Sequence, residues 1–501
     1  MKKFDVLIIG TGMGGLVCGN ILAREGYCVC VVEKNKQLGG CLQIYVRDRV
    51  IFDSGVHYIG GLNKGQNLYQ IFQWLGIMDK LRLEKMDDAF DRILIGDTGR
   101  EYLVMQGYEA FENEMIREFP GEAEAIRIYT KTIREICDRF PLYRLRLDGD
   151  VQEKQEAMGI SAKKFIESIT KDETLRAVLA GNNMLYAGSG EATPLYIHAL
   201  TVNSYIESAW RCLEGGSRIA KLLAQNITNA GGLIIRNREV KQLIVEHDLI
   251  TGALLSDGTT IHADKFVSNT TPAKTYRMTE SNLIRPVTRK RMDSMETTVS
   301  SFILNIVFKK NRFPYLKYNY YYQHPGSVWE MESYNEKNWP LGYAIYCAPG
   351  TKNEYATGMT IFAYMRYEEV RPWADSFNTV GHKQDRGSAY EEFKNNKAEQ
   401  LLNRVEERFP GLRNSILHRY TSTPLSFRDY IGNDDGNLYG AVKDYQNPIG
   451  TLISPKTRIP NLFLTGQWLN LHGILGTAIS GLISSMALTG RDDFIEKIRN
   501  A

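Results

Sequence analysis

The chain has 501 residues, of which 43% are hydrophobic and 24% charged, so it is long enough for two or three domains with buried cores. Its 61 Lys and Arg side chains nearly balance 58 Asp and Glu, and a formal net charge of +3 gives no general attraction to nucleic acid. The seven cysteines show no Cys-x-x-Cys spacing and pair with no histidine at a metal-ligand spacing. This pattern indicates reduced thiols in a cytoplasmic protein and predicts no metal site.

The first predicted element is a strand over FDVLIIG, an apolar and β-branched run that ends at Gly10. Glycines follow in the spacing G-x-G-x-x-G at Gly10, Gly12 and Gly15, with Gly14 inside it, and GLVCGNILAREG has the apolar spacing of a helix that ends near Gly26. In such a unit the first glycine permits the turn, the second lets the backbone approach a pyrophosphate, and the third lets helix and strand pack closely. The order of elements predicts a dinucleotide-binding Rossmann unit, with a tight turn that binds nothing as the alternative.

A second predicted strand, YCVCVVE, ends on Glu33, which lies 23 positions after Gly10. A carboxylate about 20 residues beyond the glycines accepts hydrogen bonds from ribose hydroxyls in dinucleotide sites. A second glycine turn at Gly39 and Gly40 lets the backbone approach a ligand close to that carboxylate. We therefore expect a ligand that extends beyond its phosphates, as FAD does, while a two-glycine turn without a ligand remains the alternative.

The following residues resemble a known family of flavoproteins. Gly39–Cys41 (GGC) and Phe52–Gly61 (FDSGVHYIGG) are similar to segments of the FAD-dependent phytoene desaturases, carotenoid isomerases and retinol saturases, and most similar to the branch of retinol saturases and carotenoid isomerases. Later stretches resemble the same family in the expected order: Gly215–Gly232 and the segments after it, Thr423–Gly440, and Ile459–Gly481. The resemblance is weak over 85–213 and 284–394.

This resemblance implies which residues hold FAD. In the family, a strand at the position of Val240 lies beside the adenine, and the segment that corresponds to Ile459–Gly481 closes the flavin site. Most members have Gly-Asp where this chain has Gly466-Gln467, so an amide replaces a carboxylate at the ribityl contact. The implied cofactor contacts are Gly10, Gly12, Gly14, Gly15, Glu33, Lys34, Gly39, Gly40, Gly55, Val240, Gly466, Gln467, Gly473 and Gly476.

The closing segment also has a physical interpretation of its own. NLFLTGQ predicts a short strand that ends in a turn, and a helix of small residues begins at Gly473, so its N-terminal amides would stabilise negative charge on a reduced flavin. The apolar stretch Ile474–Leu488 is shorter than the ~20 residues that span a bilayer, and it predicts a buried helix. Because the segment contains no cysteine that would tether the ring, we expect FAD to be bound without a covalent link.

His57 is the predicted catalytic residue, because it lies in the segment that approaches the flavin in this family. There it would donate a hydrogen bond or transfer a proton. His472, just before the Gly473 turn, is a second and weaker candidate, and a histidine that only packs behind the site is the alternative for both. For Cys41, where desaturases often have arginine, we expect a buried packing role, since no acid, base or second cysteine is nearby in sequence.

The cofactor segments are separated in sequence, so we predict an α/β fold in which a discontinuous Rossmann-type FAD-binding domain carries an inserted α+β substrate-binding domain over a mixed sheet. The FAD-binding domain takes residues 1–85, 215–284 and 441–501, and the substrate-binding domain takes 86–214 and 285–440. The aromatic stretches YLKYNYYYQH and MTIFAYMRY in the inserted parts predict strands of a sheet over a ligand cavity.

The resemblance implies an FAD-dependent oxidoreductase, a saturase, desaturase or isomerase, that acts on carbon–carbon double bonds of a long apolar isoprenoid or polyene. These three reactions use the same flavin, and similarity to the retinol saturase branch favours saturation. Two alternatives remain open. One is a flavin amine oxidase, which shares the cofactor domain, and the other is a lipid-carrying protein of the same fold without flavin, which the intact glycines and Glu33 oppose.

An apolar substrate predicts exchange with a membrane. Ile284–Met292 (IRPVTRKRM) combines basic and apolar residues and is a candidate for peripheral contact with anionic lipid, although we favour a solvated basic loop for this stretch. The expected partners are therefore an apolar small molecule and, peripherally, a membrane, but no nucleic acid.

Overall fold

The computed structural model of the chain describes residues 3–350 and 354–501, so residues 1, 2 and 351–353 of the predicted domain ranges lie outside the described residues. The strands in the described part are numbered in chain order. They are β1 (Phe4–Ile9), β2 (Val29–Val32), β3 (Ile44–Arg47), β4 (Val50–Asp53), β5 (Ile59–Gly60), β6 (Leu83–Lys85), β7 (Ala89–Ile95), β8 (Glu101–Met105), β9 (Ala209–Cys212), β10 (Leu233–Ile235), β11 (Val240–Glu246), β12 (Leu249–Leu255), β13 (Thr260–Ser268), β14 (Ser300–Phe308), β15 (Asn319–Gln323), β16 (Gly342–Pro349), β17 (Ala356–Met365), β18 (Ile416–Ser422) and β19 (Leu462–Leu464).

The α-helices of the same residues pack on the faces of two large sheets. They are α1 (Met13–Arg24), α2 (Asn67–Trp74), α3 (Tyr108–Glu118), α4 (Ala123–Asp138), α5 (Val151–Met158), α6 (Ala162–Ile169), α7 (Glu173–Leu179), α8 (Leu195–Glu207), α9 (Ser217–Asn229), α10 (Pro272–Arg277), α11 (Pro286–Asp293), α12 (Ser388–Arg408), α13 (Leu412–Ser415), α14 (Pro424–Ile431), α15 (Gly473–Thr489) and α16 (Phe494–Arg499).

The first large sheet contains the predicted Rossmann unit. Its strands lie in the order β10-β2-β1-β13-β12-β11, with β19 beside β13. Four pairs are parallel, namely β10 with β2, β2 with β1, β1 with β13, and β13 with β19. β1 and β2 consist of apolar, β-branched residues and are almost wholly buried, as expected for parallel strands covered by helices on both faces. The predicted α/β fold with a Rossmann unit at its start is confirmed.

Four parallel strands of this sheet end at one edge. β2 ends before Glu33, β1 before Gly10, β13 before Asn269, and β19 before Thr465 and Gly466. Open α/β sheets bind ligands at the carboxyl ends of their strands, because the loops that leave that edge surround a crevice. Three segments that are far apart in sequence therefore meet at this crevice.

Small residues hold the last segment against the first. A Cβ added at Gly481 of α15 would lie 2.7 Å from the carbonyl oxygen of Gly14 in α1 and 3.0 Å from Val17 Cβ. Nearby, the Ser485 hydroxyl donates to Cys18 Sγ at 3.4 Å. α15 is the buried helix that the sequence predicts, and within the described residues no helix is long and apolar enough to cross a membrane.

The second large sheet has the order β18-β14-β17-β16-β15-β7-β8, and its pairs are antiparallel except for β15 beside β7. The two aromatic stretches supply β15 and β17, as predicted. Alternate side chains of β15 face opposite cores: Tyr321 packs on the side of α4 and α8, whereas Tyr320 and Tyr322 pack on the side of α12. One face of this sheet is therefore turned toward the crevice of the first sheet.

The proposed division into two domains is crossed by one small sheet. β9 lies between β5 and β6 and is antiparallel to both. β5 and β6 belong to the predicted range 1–85, whereas β9 belongs to 86–214. The cofactor part and the inserted part are therefore joined by backbone hydrogen bonds as well as by connecting loops.

The basic stretch before residue 293 is a helix, so the loop that we expected there is wrong. α11 begins at Pro286, a residue favoured in the first turn because its fixed φ suits a helix and its missing N–H needs no partner. Arg289 and Arg291 donate to backbone carbonyl groups of neighbouring segments. Two of the basic side chains thus hold α11 to the protein surface.

We predict that Gly481→Val destabilises the protein, because the added methyl groups would force α15 away from α1. Overpacking of this kind costs about 1–3 kcal/mol in the free energy of unfolding. Gly121→Val is the matched control, since a Cβ there meets nothing within 4 Å. Urea unfolding followed by tryptophan fluorescence measures both variants, and equal midpoints for the two would contradict the packing argument.

Candidate functional site

A long cavity of about 330 Å³ extends from the strand ends of the first sheet to the inner face of the second sheet. The implied cofactor contacts line it, with the exception of Gly15, and so do His57, His472 and Cys41. A Cβ at Gly15 would lie 2.4 Å from the Gly10 carbonyl oxygen, so Gly15 permits the close packing of helix on strand rather than contact with a ligand. The structure thus gathers residues from separate segments into one continuous site.

Glycines from α1 and from the turn after β19 pack around Asn269. A Cβ at Gly12 would lie 2.6 Å from Asn269 Nδ2, one at Gly466 would lie 2.5 Å from Asn269 Oδ1, and one at Gly14 would lie 2.9 Å from the Gly466 backbone. The absence of side chains at these glycines leaves the backbone of the first turn of α1 open to the cavity. Asn269 was not predicted as a site residue, and its only signal in the sequence is its position directly after a strand.

Glu33 is a buried carboxylate at this end of the cavity. Its Oε2 accepts from the backbone N–H of Thr11 at 2.9 Å and from the Thr11 hydroxyl, and its Oε1 accepts from the Asn35 N–H at 2.9 Å. The Thr11 hydroxyl also accepts from the Gly39 N–H at 3.1 Å, which connects the two glycine turns. A carboxylate offers about four acceptor positions, so one remains for a ribose hydroxyl. Sequence reasoning missed Thr11 because any residue fits the x of G-x-G.

Charged side chains of the cavity cluster beside Glu33. Lys274 forms an ion pair with Glu239 at 2.8 Å. Lys34 donates to the carbonyl oxygen of Asp429 at 3.1 Å. Burial, followed by the nearby Lys274, lowers the pKa of Lys34 to about 8, and the charge of Glu33 opposes this shift. Lys34 and Lys274 therefore lie at the same end of the cavity as Glu33 and Glu239.

Two helix N-termini face the cavity. α1 begins after Gly12 and α15 after His472, and neither first turn has a side-chain cap or an acidic residue. First-turn amides without caps, together with the helix dipole, favour an anion or an electron-rich group. Gln467 lies before α15, where its Nε2 donates to the carbonyl oxygen of Leu438 at 3.4 Å.

His57 lies flat against Tyr346, with ring centroids 4.1 Å apart and ring planes inclined by 7°. Burial, reinforced by the charge of Arg211, lowers the pKa of His57 to about 3. The imidazole is therefore neutral near pH 7, where it donates one hydrogen bond and accepts one. Burial likewise lowers the pKa of His472, which packs against Tyr439, to about 4. Of the two expected roles for His57, hydrogen bonding fits this environment and donation of an imidazolium proton does not.

Cys41 lies in the wall of the cavity, and its packing role stays a prediction. The side chain lines the cavity and is partly exposed to it. Burial raises the pKa of the thiol to about 11, so the thiol stays protonated and is a poor nucleophile. A Cβ at Gly55 would lie 3.2 Å from the Cys41 carbonyl oxygen, so Gly55 lets these two parts of the wall approach closely.

The far end of the cavity is an apolar and aromatic chamber. It lies between α8, α14, α15 and the inner face of the second sheet, and the lining residues that these elements contribute in the described chain carry no charge. Aliphatic and aromatic side chains form most of its wall, including Leu200, Tyr205, Tyr346, Phe362, Phe427 and Leu475. Phe362 comes from a strand that the sequence predicts, whereas β16, which carries Tyr346, was not predicted, and no local motif marks either residue as a site residue.

These features fit FAD. A buried acceptor remains for a ribose hydroxyl, the uncapped N-terminus of α1 would suit a pyrophosphate, and the uncapped N-terminus of α15 would suit an electron-rich ring. The chamber beside α15 offers an apolar wall for a substrate.

Comparison with known proteins agrees with this geometry. A sequence model described as an NAD(P)-binding Rossmann-like domain matches residues 8–75. All-trans-retinol 13,14-reductase of Danio rerio is 24% identical over 99% of this chain and 87% of its own length. Prolycopene isomerase of Daucus carota is 25% identical over 96% of this chain and 79% of its own length.

A solved structure of an oxidoreductase from Methanosarcina mazei has the same fold. It superposes with a TM-score of 0.65 at 15% identity and covers 97% of this chain and 100% of that chain. The sequence relatives match nearly the whole of this chain and not only its Rossmann unit, which confirms the predicted resemblance. Over nearly its full length the chain is therefore similar to the retinol saturases and the carotenoid isomerases.

Proposed function

We propose that this protein is an FAD-dependent oxidoreductase that saturates a carbon–carbon double bond of a long apolar polyene or isoprenoid. Relatives over nearly the full chain are named for retinol reduction and for prolycopene isomerisation, and both names refer to polyenes. Saturation is chosen because several of the similar proteins are named all-trans-retinol 13,14-reductase.

The observation that carries this proposal is the distribution of charge along the cavity. Its charged lining residues lie beside the predicted nucleotide end, as Glu33, Lys34, Glu239 and Lys274 do, whereas the chamber is lined by aliphatic side chains, aromatic rings and hydroxyls. Binding of a polyene there is favoured by about 25 cal/mol for each Å² of apolar surface that is buried. This gain is not offset by the cost of removing water from a charged side chain, because the described residues of the chamber wall include none. An ionic substrate would find no oppositely charged partner among these lining residues.

The chain's own residues would act mainly by binding and orientation. When bound, FAD supplies the hydride chemistry at its ring. Glu33 and the glycine turns would hold the nucleotide, and the N-terminus of α15 would stabilise negative charge on the reduced ring. His57, as a neutral imidazole held flat by Tyr346, would hydrogen-bond at the ring rather than give up a proton.

The alternatives predicted from sequence receive less support from the cavity. An amine oxidase must hold an amine substrate, and in the described chain the chamber offers it aromatic rings but no carboxylate. A lipid carrier without flavin has no need of the buried Glu33 or of the glycine turn that Thr11 connects to it.

We also propose a cytoplasmic protein that contacts a membrane peripherally, because a substrate of this class partitions into lipid. Val287 of α11 and Ile449 nearby are exposed apolar residues on the same part of the surface, since Arg291 of α11 donates to the carbonyl oxygen of Gly450. A short basic helix with exposed apolar side chains favours such contact.

The proposed function predicts that the purified protein is yellow and that acid precipitation releases all of its FAD, since Cys41 is a protonated thiol. Reduced anaerobically with dithionite, the protein should be reoxidised by all-trans-retinol with formation of a dihydro product, whereas putrescine should not reduce the oxidised protein. Flavin absorbance and mass spectrometry of the product are the measurements. Colour retained in the precipitate, or reduction by the amine, would count against the proposal.

Glu33→Ala should weaken FAD binding much more than it disturbs the fold, because a charged acceptor for the ribose is lost. The expected cost is on the order of 1.5–3 kcal/mol, about ten-fold or more in affinity. Glu246→Ala, at the exposed end of β11, is the control. Fluorescence titration of the apoproteins with FAD measures the effect, and an unchanged dissociation constant would show that Glu33 does not bind the ribose.

His57→Leu should slow the reaction of reduced flavin with all-trans-retinol by about ten-fold or more, the cost of one hydrogen bond to a charged group, whereas His57→Gln should retain most of the rate. Since the pKa of His57 lies near 3, His57→Gln should leave the pH dependence of the rate between pH 5 and pH 8 unchanged. Stopped-flow absorbance measures these rates. A break near pH 6.5 that His57→Gln abolishes would instead identify the imidazolium as the acid.

A further inference from the structure

A row of buried polar side chains stands behind the chamber wall, and the proposed function leaves it unused. The Tyr58 hydroxyl donates to Asp91 Oδ2 at 2.9 Å and lies 2.8 Å from the Tyr321 hydroxyl, which lies 3.2 Å from the Tyr346 hydroxyl. Asp91 and Tyr321 are fully buried, whereas Tyr58 and Tyr346 also line the cavity. The row therefore leads from an enclosed carboxyl group to the substrate chamber.

The pleat of the second sheet accounts for this alignment. β15 pairs Asn319 with Asp91 on one side and Tyr321 with Ala344 on the other, so Asp91, Asn319, Tyr321 and Tyr346 occupy the same face of three adjacent strands. Tyr58, just before β5, completes the row from the other side of the crevice. The alignment depends on strand register, which no single segment of the sequence shows.

The hydrogen bonds of this row can run in either of two directions, depending on whether Asp91 carries a proton. Each tyrosine hydroxyl has one hydrogen to donate and two lone pairs that accept. When Asp91 is ionised, Tyr58 donates to it, Tyr321 donates to Tyr58, and Tyr346 donates to Tyr321. When Asp91 carries the proton, every bond can reverse, and the hydrogen of Tyr346 is then free to point into the chamber.

The surroundings of Asp91 allow its carboxyl group to gain or lose a proton near neutral pH. Its Oδ1 accepts from Asn319 at 2.8 Å, and Arg211 in turn donates to Asn319. Burial raises the pKa of Asp91 to about 7, against the effect of hydrogen bonds from Asn319, Tyr58 and Asn182 and of the charge of Arg211. The other titratable groups that face Asp91 are tyrosines, whose pKa burial raises so that they stay protonated: Tyr58, Tyr205, Tyr321 and Tyr346.

We propose that Tyr346 is the proton donor to the substrate and that Asp91, through Tyr58 and Tyr321, supplies that proton. This inference rests on the proposed function. One carbon of the double bond takes a hydride from reduced FAD, and the other takes the proton of the Tyr346 hydroxyl. Two C–H bonds form, the π bond and the O–H bond break, and the protons of Tyr321, Tyr58 and Asp91 each move one place, which leaves Asp91 as a carboxylate.

The same row reloads the donor. Asp91 is enclosed, and its second oxygen is occupied by Asn319. Water that enters the chamber after the product leaves would protonate Tyr346, and the protons would move back to Asp91 in the reverse order. Asp91 never contacts the substrate in this scheme, whereas Tyr346 does.

The first test needs no turnover. Infrared difference spectra of the oxidised holoenzyme between pH 5 and pH 9 should show a protonated carboxyl band that titrates near pH 7 and disappears in Asp91→Asn. The subtraction of the Asp91→Asn spectrum is necessary because burial also raises the pKa of Asp53 to about 7. Tyr58→Phe should move the Asp91 titration to higher pH, since the carboxylate loses a donor, and Tyr322→Phe should not. Spectra in which Asp91→Asn removes no band would overturn the proposal.

The second test is single turnover of dithionite-reduced holoenzyme with all-trans-retinol. Tyr346→Phe and Tyr321→Phe should retain FAD but slow flavin oxidation by roughly 10²–10⁴-fold, the range of general acid catalysis. Tyr322→Phe is the matched control, because it lies on the same strand as Tyr321 but faces the other core. The wild-type rate should fall above about pH 7 as Asp91 loses its proton, and Asp91→Asn should be slow without that pH dependence.

Each outcome separates this inference from the function on which it rests. Rates within three-fold of wild type for Tyr346→Phe and Tyr321→Phe, with FAD bound, would overturn the proton row and leave the proposed function intact. If only Tyr58→Phe is slow, Tyr58 donates directly and the assignment to Tyr346 is overturned. If wild-type protein does not react with all-trans-retinol, the proposed substrate class fails, and the infrared titrations alone then support or overturn the row.

Discussion

The close approach of backbone segments at the strand ends of the first sheet is the constraint on which the rest of the structure depends. Gly12, Gly14 and Gly466 pack around Asn269, and Gly481 brings α15 against the backbone of α1. Any side chain at these points would separate the first segment of the chain from the last. The contact places the uncapped N-termini of α1 and α15 along the same cavity. Both the nucleotide end and the start of the chamber follow from it.

The cavity combines two environments that a single layer of structure would not supply. Polar loops at the edge of a parallel sheet provide amides, a carboxylate and lysines for a charged ligand. The second sheet adds a wall of aromatic and aliphatic side chains, because its inner face must be apolar to pack on the helices that cover it. Where the two meet, His57 and Tyr346 stack, and the low polarity keeps the imidazole neutral.

The local motifs were predictable because each reports a backbone requirement. The strand, glycines and helix of the Rossmann unit, Glu33 at the end of β2, and the helix that begins at Gly473 all stand where the sequence indicates. The error at α11 has a tertiary cause, because Arg289 and Arg291 donate to carbonyl groups of other segments and hold the basic stretch against the protein as a helix. The sequence also does not show that Cys41 lines a cavity, since it does not indicate which neighbours leave space beside it.

By itself, the sequence determined the class of fold, the dinucleotide end of the site and the resemblance to polyene-acting flavoproteins, since glycine spacing, strand composition and a strand-end carboxylate act within a few residues of each other. Only the tertiary structure decided that Thr11 and Asn269 complete that end, and that Tyr346 and Phe362 line the chamber. It alone aligned Asp91, Tyr58 and Tyr321 behind the wall. These side chains meet because of strand register and of packing between distant segments, and neither produces a local or periodic pattern in the sequence.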